Sequence, residues 1–151
     1  MLINKKYSEL INKDLRSLDL NNRSLKSWKY LCDRFPLSEN FIREFQDKVD
    51  WVSISYFQTI SESFIREFQD KVHWKGIFSR QTLSESFIRE FQDKVDWNFI
   101  SYNQKLSEPF IIEFQNNVDW FNISCFQVLS EEFIKNFKNK VNWYNISDCQ
   151  E

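Results

Sequence analysis

The sequence contains one glycine, one histidine and no alanine among its 151 residues, and these shortages exclude several kinds of site. Glycine-rich phosphate loops need several glycines, and histidine-based metal sites need more than one imidazole ring. No stretch approaches the roughly 18 consecutive apolar residues of a membrane-spanning helix, so no membrane interaction is expected. The net charge of −2 argues against a polycation that holds nucleic acid or anionic lipid by bulk charge.

Aromatic residues are abundant instead, at 18% of the chain, and they recur in a fixed pattern. Five units of 23 residues follow one another, and they cover residues 37–59, 60–82, 83–105, 106–128 and 129–151. A degenerate unit over residues 14–36 is expected before them, because Trp28 keeps the spacing of the later tryptophans. Residues 1–36 would then form a helical N-terminal cap. Units are numbered 1 to 5 from residue 37, and positions 1 to 23 within each unit.

Each unit carries the signals of two short helices. Serine at position 2 and aspartate at position 14 are good N-caps, and glutamate follows the serine in the first turn. Apolar residues at positions 5, 6, 9 and 13 have helical spacing, and positions 15, 18, 19 and 22 share one face of a second helix. Charged residues such as Arg89 and Asp93, or Glu90 and Lys94, are expected to pair at i,i+4.

These signals predict an all-α fold, a right-handed α-solenoid of stacked short helical hairpins with an atypical N-terminal capping unit. A coiled coil would need a 3.5-residue period, and a leucine-rich horseshoe would need a strand core, and the unit has neither. The tryptophans and the Phe-Ile-Phe stripe barely change between units, which is typical of core residues. Glutamine at position 22 is expected to bond backbone groups left free at the turns. His73 replaces a capping aspartate as a tolerated substitution.

Positions 16, 17, 20 and 21 change freely between units and are expected to share one face of the second helix. Large aromatic residues on a face that should be exposed to solvent favour the interpretation that this face is a contact surface for a partner. Drift on a solvated face and burial against a neighbouring row are the alternatives. The candidate partner-binding residues are Val52, Tyr56, Phe57, Lys75, Arg80, Asn98, Phe99, Tyr102, Asn103, Phe121, Cys125, Phe126, Tyr144 and Asp148.

The chain has three cysteines, Cys32, Cys125 and Cys149, and no apolar secretion signal opens it, so a reducing intracellular setting is expected. Cys125 and Cys149 occupy neighbouring variable positions in successive units. A step of about 9–10 Å between packed helices exceeds the ~7 Å between Cα atoms that a disulfide allows, so no disulfide is expected. Three cysteines and one histidine also make a poor zinc site, and no metal or cofactor is predicted.

The motif Leu-Ser-Glu-x-Phe-Ile-Arg-Glu-Phe, followed by Val-Asp-Trp, Ile-Ser and Gln, resembles a 23-residue repeat in uncharacterised proteins of giant DNA viruses, mimivirus relatives among them. The resemblance covers residues 37–151, and unit 2 departs from it at His73 and Phe78. It implies a viral origin and synthesis in the cytoplasm of an infected host, with the virus particle as a further location. It implies no activity.

The only histidine has no partner serine or cysteine in a recognisable motif, so an enzyme is not predicted and no catalytic residue is named. The predicted function is a non-catalytic scaffold that binds a partner protein through the variable face of the second helices, as a monomer. Binding of single-stranded RNA or DNA by a helical-repeat surface is one alternative, which the net charge disfavours. Self-assembly, or a structural role in a virus particle, is the other.

Overall fold

A computed structural model describes residues 25–149 of the chain, and over these residues it contains eleven α-helices and no strand. Helix α1 spans Leu25–Arg34. Five pairs of helices follow at the 23-residue period, which confirms the prediction of an all-α solenoid of helical hairpins. The pairs are α2 (Glu39–Glu44) with α3 (Trp51–Phe57), α4 (Glu62–Glu67) with α5 (Trp74–Arg80), α6 (Glu85–Glu90) with α7 (Trp97–Asn103), α8 (Glu108–Glu113) with α9 (Trp120–Phe126), and α10 (Glu131–Asn136) with α11 (Trp143–Cys149).

Both predicted N-caps are present. Ser84 Oγ accepts a hydrogen bond from the Phe87 N–H at 3.2 Å, and the serine at position 2 caps the first helix of every other unit in the same way. At the second helix, an Asp50 carboxylate oxygen accepts the Ser53 N–H at 2.8 Å. His73 keeps this cap, because its Nδ1 accepts the Gly76 N–H at 3.3 Å.

The first helix ends sooner than the apolar spacing suggests. In unit 1, α2 stops at Glu44, and a separate turn follows in which the N–H groups of Lys48 and Val49 reach the Phe45 carbonyl at 2.8 and 3.1 Å. The Gln46 carbonyl accepts the indole N–H of Trp51 at 3.0 Å. In a longer first helix this carbonyl would accept a backbone N–H of the same helix instead.

The expected i,i+4 pairs of Arg89 with Asp93 and of Glu90 with Lys94 are therefore wrong, because the helix stops at Glu90. Arg89 pairs instead with Glu85, at 3.7 Å, and with Glu113 of the next unit, at 2.8 Å. The ion pairs of the first helices thus join one unit to the next.

The core is built from tryptophans that pack on phenylalanines of the following unit. The Trp74 ring centroid lies 4.8 Å from that of Phe91 and 6.5 Å from that of Phe87. Trp28 packs in the same way on unit 1, so α1 takes the place that a second helix has in the other units. The predicted degenerate unit stays a prediction, because residues 1–24 lie outside the described residues. Trp143 differs: it is 56% exposed, so the prediction that all six tryptophans are core is wrong there.

Glutamine at position 22 ties each unit to the one before it, as the sequence predicts. Gln104 Oε1 accepts the Leu83 N–H at 3.0 Å, and its Nε2 donates to the carbonyls of Phe78 and Gln81 at 3.3 and 2.8 Å. The same three-bond arrangement recurs at Gln58, Gln81 and Gln127. Each amide therefore closes the turn at the start of its own unit and the end of the preceding second helix.

One joint departs from this regularity. In units 1, 3 and 4 the serine at position 19 accepts the backbone N–H of position 14 in the next unit, as Ser55 does from His73 at 2.8 Å. In unit 2 the fully buried Phe78 takes the place of that serine and stacks on Trp74 at 5.5 Å. The joint between units 2 and 3 thus exchanges a hydrogen bond for aromatic packing.

Two carboxylates of unit 1 are held in their charged form. Burial acts to raise the pKa of Glu39, but the hydrogen bonds from Ser61 and the charge of Arg43 outweigh it and leave that pKa below its usual value. Burial likewise opposes ionisation of Asp50, yet the hydrogen bonds from Ser53 and the charge of Lys29 lower its pKa. Because both folded-state pKa values lie below those of the unfolded chain, these groups stabilise the fold at neutral pH.

We therefore expect the urea midpoint to change little between pH 7 and about pH 5 and to fall as the pH drops below about 4, where these carboxylates become protonated. Tryptophan fluorescence during urea titration at each pH would measure this midpoint. Replacing Glu39 with glutamine and Asp50 with asparagine should flatten part of this acid dependence. If the urea midpoint of the double variant fell with pH as steeply as that of the parent protein, these two carboxylates would not be the source of the acid dependence.

Candidate partner-binding surface

The second helices stack directly on one another, whereas the first helices are bridged by long side chains. The most extensive backbone contacts between helices all join successive second helices, beginning with α1 against α3. Among the first helices, Arg66 reaches Glu90 of the next unit at 2.8 Å and lies over the Phe87 ring at 4.9 Å. The second helices therefore form one continuous row with a side directed away from the first helices.

Positions 16 and 21 are exposed in all five units, and position 20 is half-buried or exposed. We call positions 16, 20 and 21 of the second helices the variable surface. Several of its large apolar side chains are well exposed, among them Phe57 at 58%, Tyr102 at 53% and Phe121 at 57%. The candidate residues at these positions are Val52, Tyr56, Phe57, Lys75, Arg80, Asn98, Tyr102, Asn103, Phe121, Cys125, Phe126, Tyr144 and Asp148.

Position 17 does not belong to this surface, and its assignment to the open face is wrong. Gly76 is buried, and a Cβ atom there would lie 2.9 Å from Ser55 Cβ. Asn145 is also buried and donates from Nδ2 to the Phe121 carbonyl at 2.9 Å. Phe99, a predicted partner-binding residue, is half-buried against the core, and Lys75 Nζ lies 5.2 Å from its ring centroid. Position 17 is covered because the preceding second helix packs against it.

The variable surface is organised around the seams between units, where positions 16 and 20 of one second helix meet positions 17 and 21 of the next. Tyr102 and Phe126 meet edge to face across one seam, with ring centroids 4.4 Å apart. At another, Tyr56 lies against His73, the N-cap at position 14 of the next unit, with ring centroids 5.6 Å apart. Tyr56, Tyr102 and Phe126 are therefore each held against a side chain of the adjacent unit.

A disulfide joins Cys125 of α9 to Cys149 of α11, and the expectation that these cysteines remain apart is wrong. Their Cα atoms are 5.2 Å apart, because positions 20 and 21 of successive units meet at the seam at less than the full helix-to-helix step. Cys125 is consequently a half-buried cross-link rather than a free contact residue. Cys32 is a buried free thiol, and burial raises its pKa to about 11, which makes it unreactive.

The arginines of the first helices are paired with carboxylates, whereas the two cations of α5 are not. Arg43, Arg66 and Arg89 each bridge two carboxylates, one in their own helix and one in the next unit. In contrast, α3, α5, α7 and α9 together carry two cations, Lys75 and Arg80, and no carboxylate. Between residues 25 and 149 neither of these cations has a carboxylate within ion-pair distance.

Apart from Asp148, which belongs to the variable surface itself, the aspartates that directly precede the second helices serve as their caps. Asp96 accepts the Asn98 N–H at 3.1 Å, and Asp119 accepts the Asn122 N–H at 2.7 Å. Sequence reasoning missed position 23, where the exposed Lys105 follows α7 and Val128, 94% exposed, follows α9. Its variation between units was a visible signal, but it lies in the turn rather than on a helix.

Over the part of the chain that the structure describes, no three histidine, cysteine, aspartate or glutamate side chains converge as a metal site requires. Nor does any described helix have the length and apolar character to cross a bilayer. Comparison of the chain with protein-family models, with curated proteins and with solved structures finds no match.

Proposed function

We propose that this protein is a non-catalytic repeat scaffold that binds a partner protein through its variable surface. One observation carries the proposal: the positions that change between units are exposed and hold large apolar side chains. Val52, Phe57 and Phe121 are 47%, 58% and 57% exposed, although the same units pack Phe41, Phe45, Phe110 and Phe114 into or against the core. Apolar residues aligned in this way are typical of surfaces that a partner covers.

The seams add a second argument, which concerns preorganisation. Tyr102 is held against Phe126, and Tyr56 against His73, so these rings lose little side-chain freedom when a partner binds. Aromatic residues held in this way are common among residues that contribute most to binding. From the resemblance of the repeat to those of giant DNA viruses, we further propose that the partner is met in an infected host cell.

Selection from a displayed library of short random peptides tests the proposal. We expect the protein to enrich a family of peptides, and a variant with Tyr56, Phe57, Phe121 and Phe126 replaced by serine to lose that enrichment. The matched control replaces four exposed residues of the first-helix side, Gln69, Asp70, Gln92 and Asp93, by serine, and it should behave like the parent. Circular dichroism would establish that both variants fold.

Equal enrichment by the parent and by the aromatic-to-serine variant would contradict the proposal, because binding would then lie elsewhere. Light scattering over a range of concentrations addresses self-assembly in the same preparations. We expect a monomer, and growth of the particle size with concentration would favour end-to-end association instead.

A further inference from the structure

We infer that the segment bound by the variable surface is acidic at its centre and apolar at both ends. The inference rests on the proposed function and specifies the chemistry of the partner. It is carried by the order in which charged and apolar residues follow one another along the stacked second helices.

The centre of the surface is cationic. Lys75 and Arg80 lie at positions 16 and 21 of α5, are both exposed, and have no carboxylate partner among residues 25–149. Lys105 adds a third exposed cation in the turn that follows the next second helix, α7. The ammonium group of Lys75 lies 5.2 Å from the centroid of the Phe99 ring, a contact that leaves its charge available to an anion.

Other cations of residues 25–149, such as Lys94 and Lys138, also lack a carboxylate partner, but Lys75 and Arg80 are the charged residues that α3, α5, α7 and α9 carry. The three arginines of the first helices are each bound by two carboxylates, whereas Lys75 and Arg80 are bound by none. Cations that no carboxylate neutralises attract an acidic partner and orient it during association.

Apolar residues lie on both sides of this centre. On α3, one step before the cations, Val52 and Phe57 are exposed. Beyond the cations, Tyr102 on α7 lies against Phe126 on α9, and Phe121 is exposed beside them. A segment that runs from α3 to α9 therefore meets apolar, then cationic, then apolar surface.

The span of the surface limits the length of the segment. Three steps of about 8–10 Å between packed helices separate α3 from α9, a distance of about 24–30 Å. An extended chain covers about 3.3 Å per residue, so about seven to nine residues bridge it. Lys75 and Arg80 on α5 lie one step from α3, and Lys105 follows α7, two steps from α3, so one or two acidic residues at the centre would lie between these cations.

A peptide fits these observations better than a nucleic acid does. A nucleic acid strand presents a phosphate at every nucleotide and needs cations along its whole path. The variable surface offers them only at its centre, while Val52, Phe57 and Phe121 offer no donor to a phosphate.

Random nonapeptides displayed on phage serve as the probe, with Lys75 and Arg80 both replaced by glutamate in the test variant. We expect the parent to enrich peptides with aspartate or glutamate at the centre and apolar residues at the ends. The charge-reversed variant should bind the same peptides at least about tenfold more weakly and enrich lysine or arginine at the centre. The matched control replaces Lys135 and Lys138 on the first-helix side by glutamate, which changes the net charge equally, and it should behave like the parent.

Enrichment of apolar peptides without a central acidic residue would overturn this inference and leave the proposed function standing. No enrichment of any peptide would overturn both. Binding of oligodeoxythymidine at low salt that disappears in the charge-reversed variant would assign the cations to phosphate and also overturn the inference.

Discussion

Replacing Gln104 with leucine is expected to lower the free energy of unfolding by about 3–5 kcal/mol, although the two side chains are similar in size. The leucine cannot accept from the Leu83 N–H or donate to the carbonyls of Phe78 and Gln81, which Gln104 reaches at 2.8–3.3 Å. Gln104 is 4% exposed, so water does not readily replace the lost partners. Urea titration followed by tryptophan fluorescence would measure the change.

The matched control is Gln92→Leu, since Gln92 is an exposed glutamine in the turn after α6. We expect it to change the free energy of unfolding by no more than about 0.5 kcal/mol. A similar loss in the two variants would show that leucine itself, and not the missing hydrogen bonds, destabilises the protein. Because each unit is tied only to its neighbours, a weakened joint should also lower the dependence of the free energy on urea.

Replacing Phe87 with alanine should lower the free energy of unfolding by about 4 kcal/mol. Phe87 is fully buried, lies 4.7 Å from Phe91 and 6.5 Å from Trp74 by ring centroids, and carries the guanidinium of Arg66 over its face. Truncation removes these contacts and leaves a cavity between units 2 and 3 that short helices cannot close. Thermal and urea unfolding would both measure this loss of stability.

The same truncation at an exposed phenylalanine should separate stability from binding. Phe121→Ala is expected to cost no more than about 0.5 kcal/mol of stability, because Phe121 is 57% exposed. It should nevertheless weaken the binding of the peptides that the parent protein selects. If Phe121→Ala destabilised the fold as strongly as Phe87→Ala, the variable surface would be part of the core.

Much of the fold could be predicted because the signals act within one unit. Ser84 and Asp50 cap the helices that follow them, and the buried Ile100 and Gln104 keep the spacing of one helix face. Comparison between units separated these fixed positions from the variable ones. The role of glutamine could also be predicted, since an amide at an inward position needs backbone partners.

What could not be predicted depends on the distance between units. Helical geometry places position 17 beside position 16, but only the approach of the preceding helix buries Gly76. The same approach brings Cys125 and Cys149 together, with Cα atoms 5.2 Å apart. The end of α6 at Glu90 likewise follows from tertiary contacts, and with it the pairing of Arg89 across units.

Successive second helices make extensive backbone contacts with one another, whereas successive first helices do not. Small side chains such as Ser55 and Gly76 let successive second helices touch, whereas an arginine–glutamate bridge separates successive first helices. Two connected rows of equal number and unequal pitch form an arc, with the tighter row on the inside. The residues that differ from unit to unit would then line a hollow, and every added unit would lengthen this hollow by one helix.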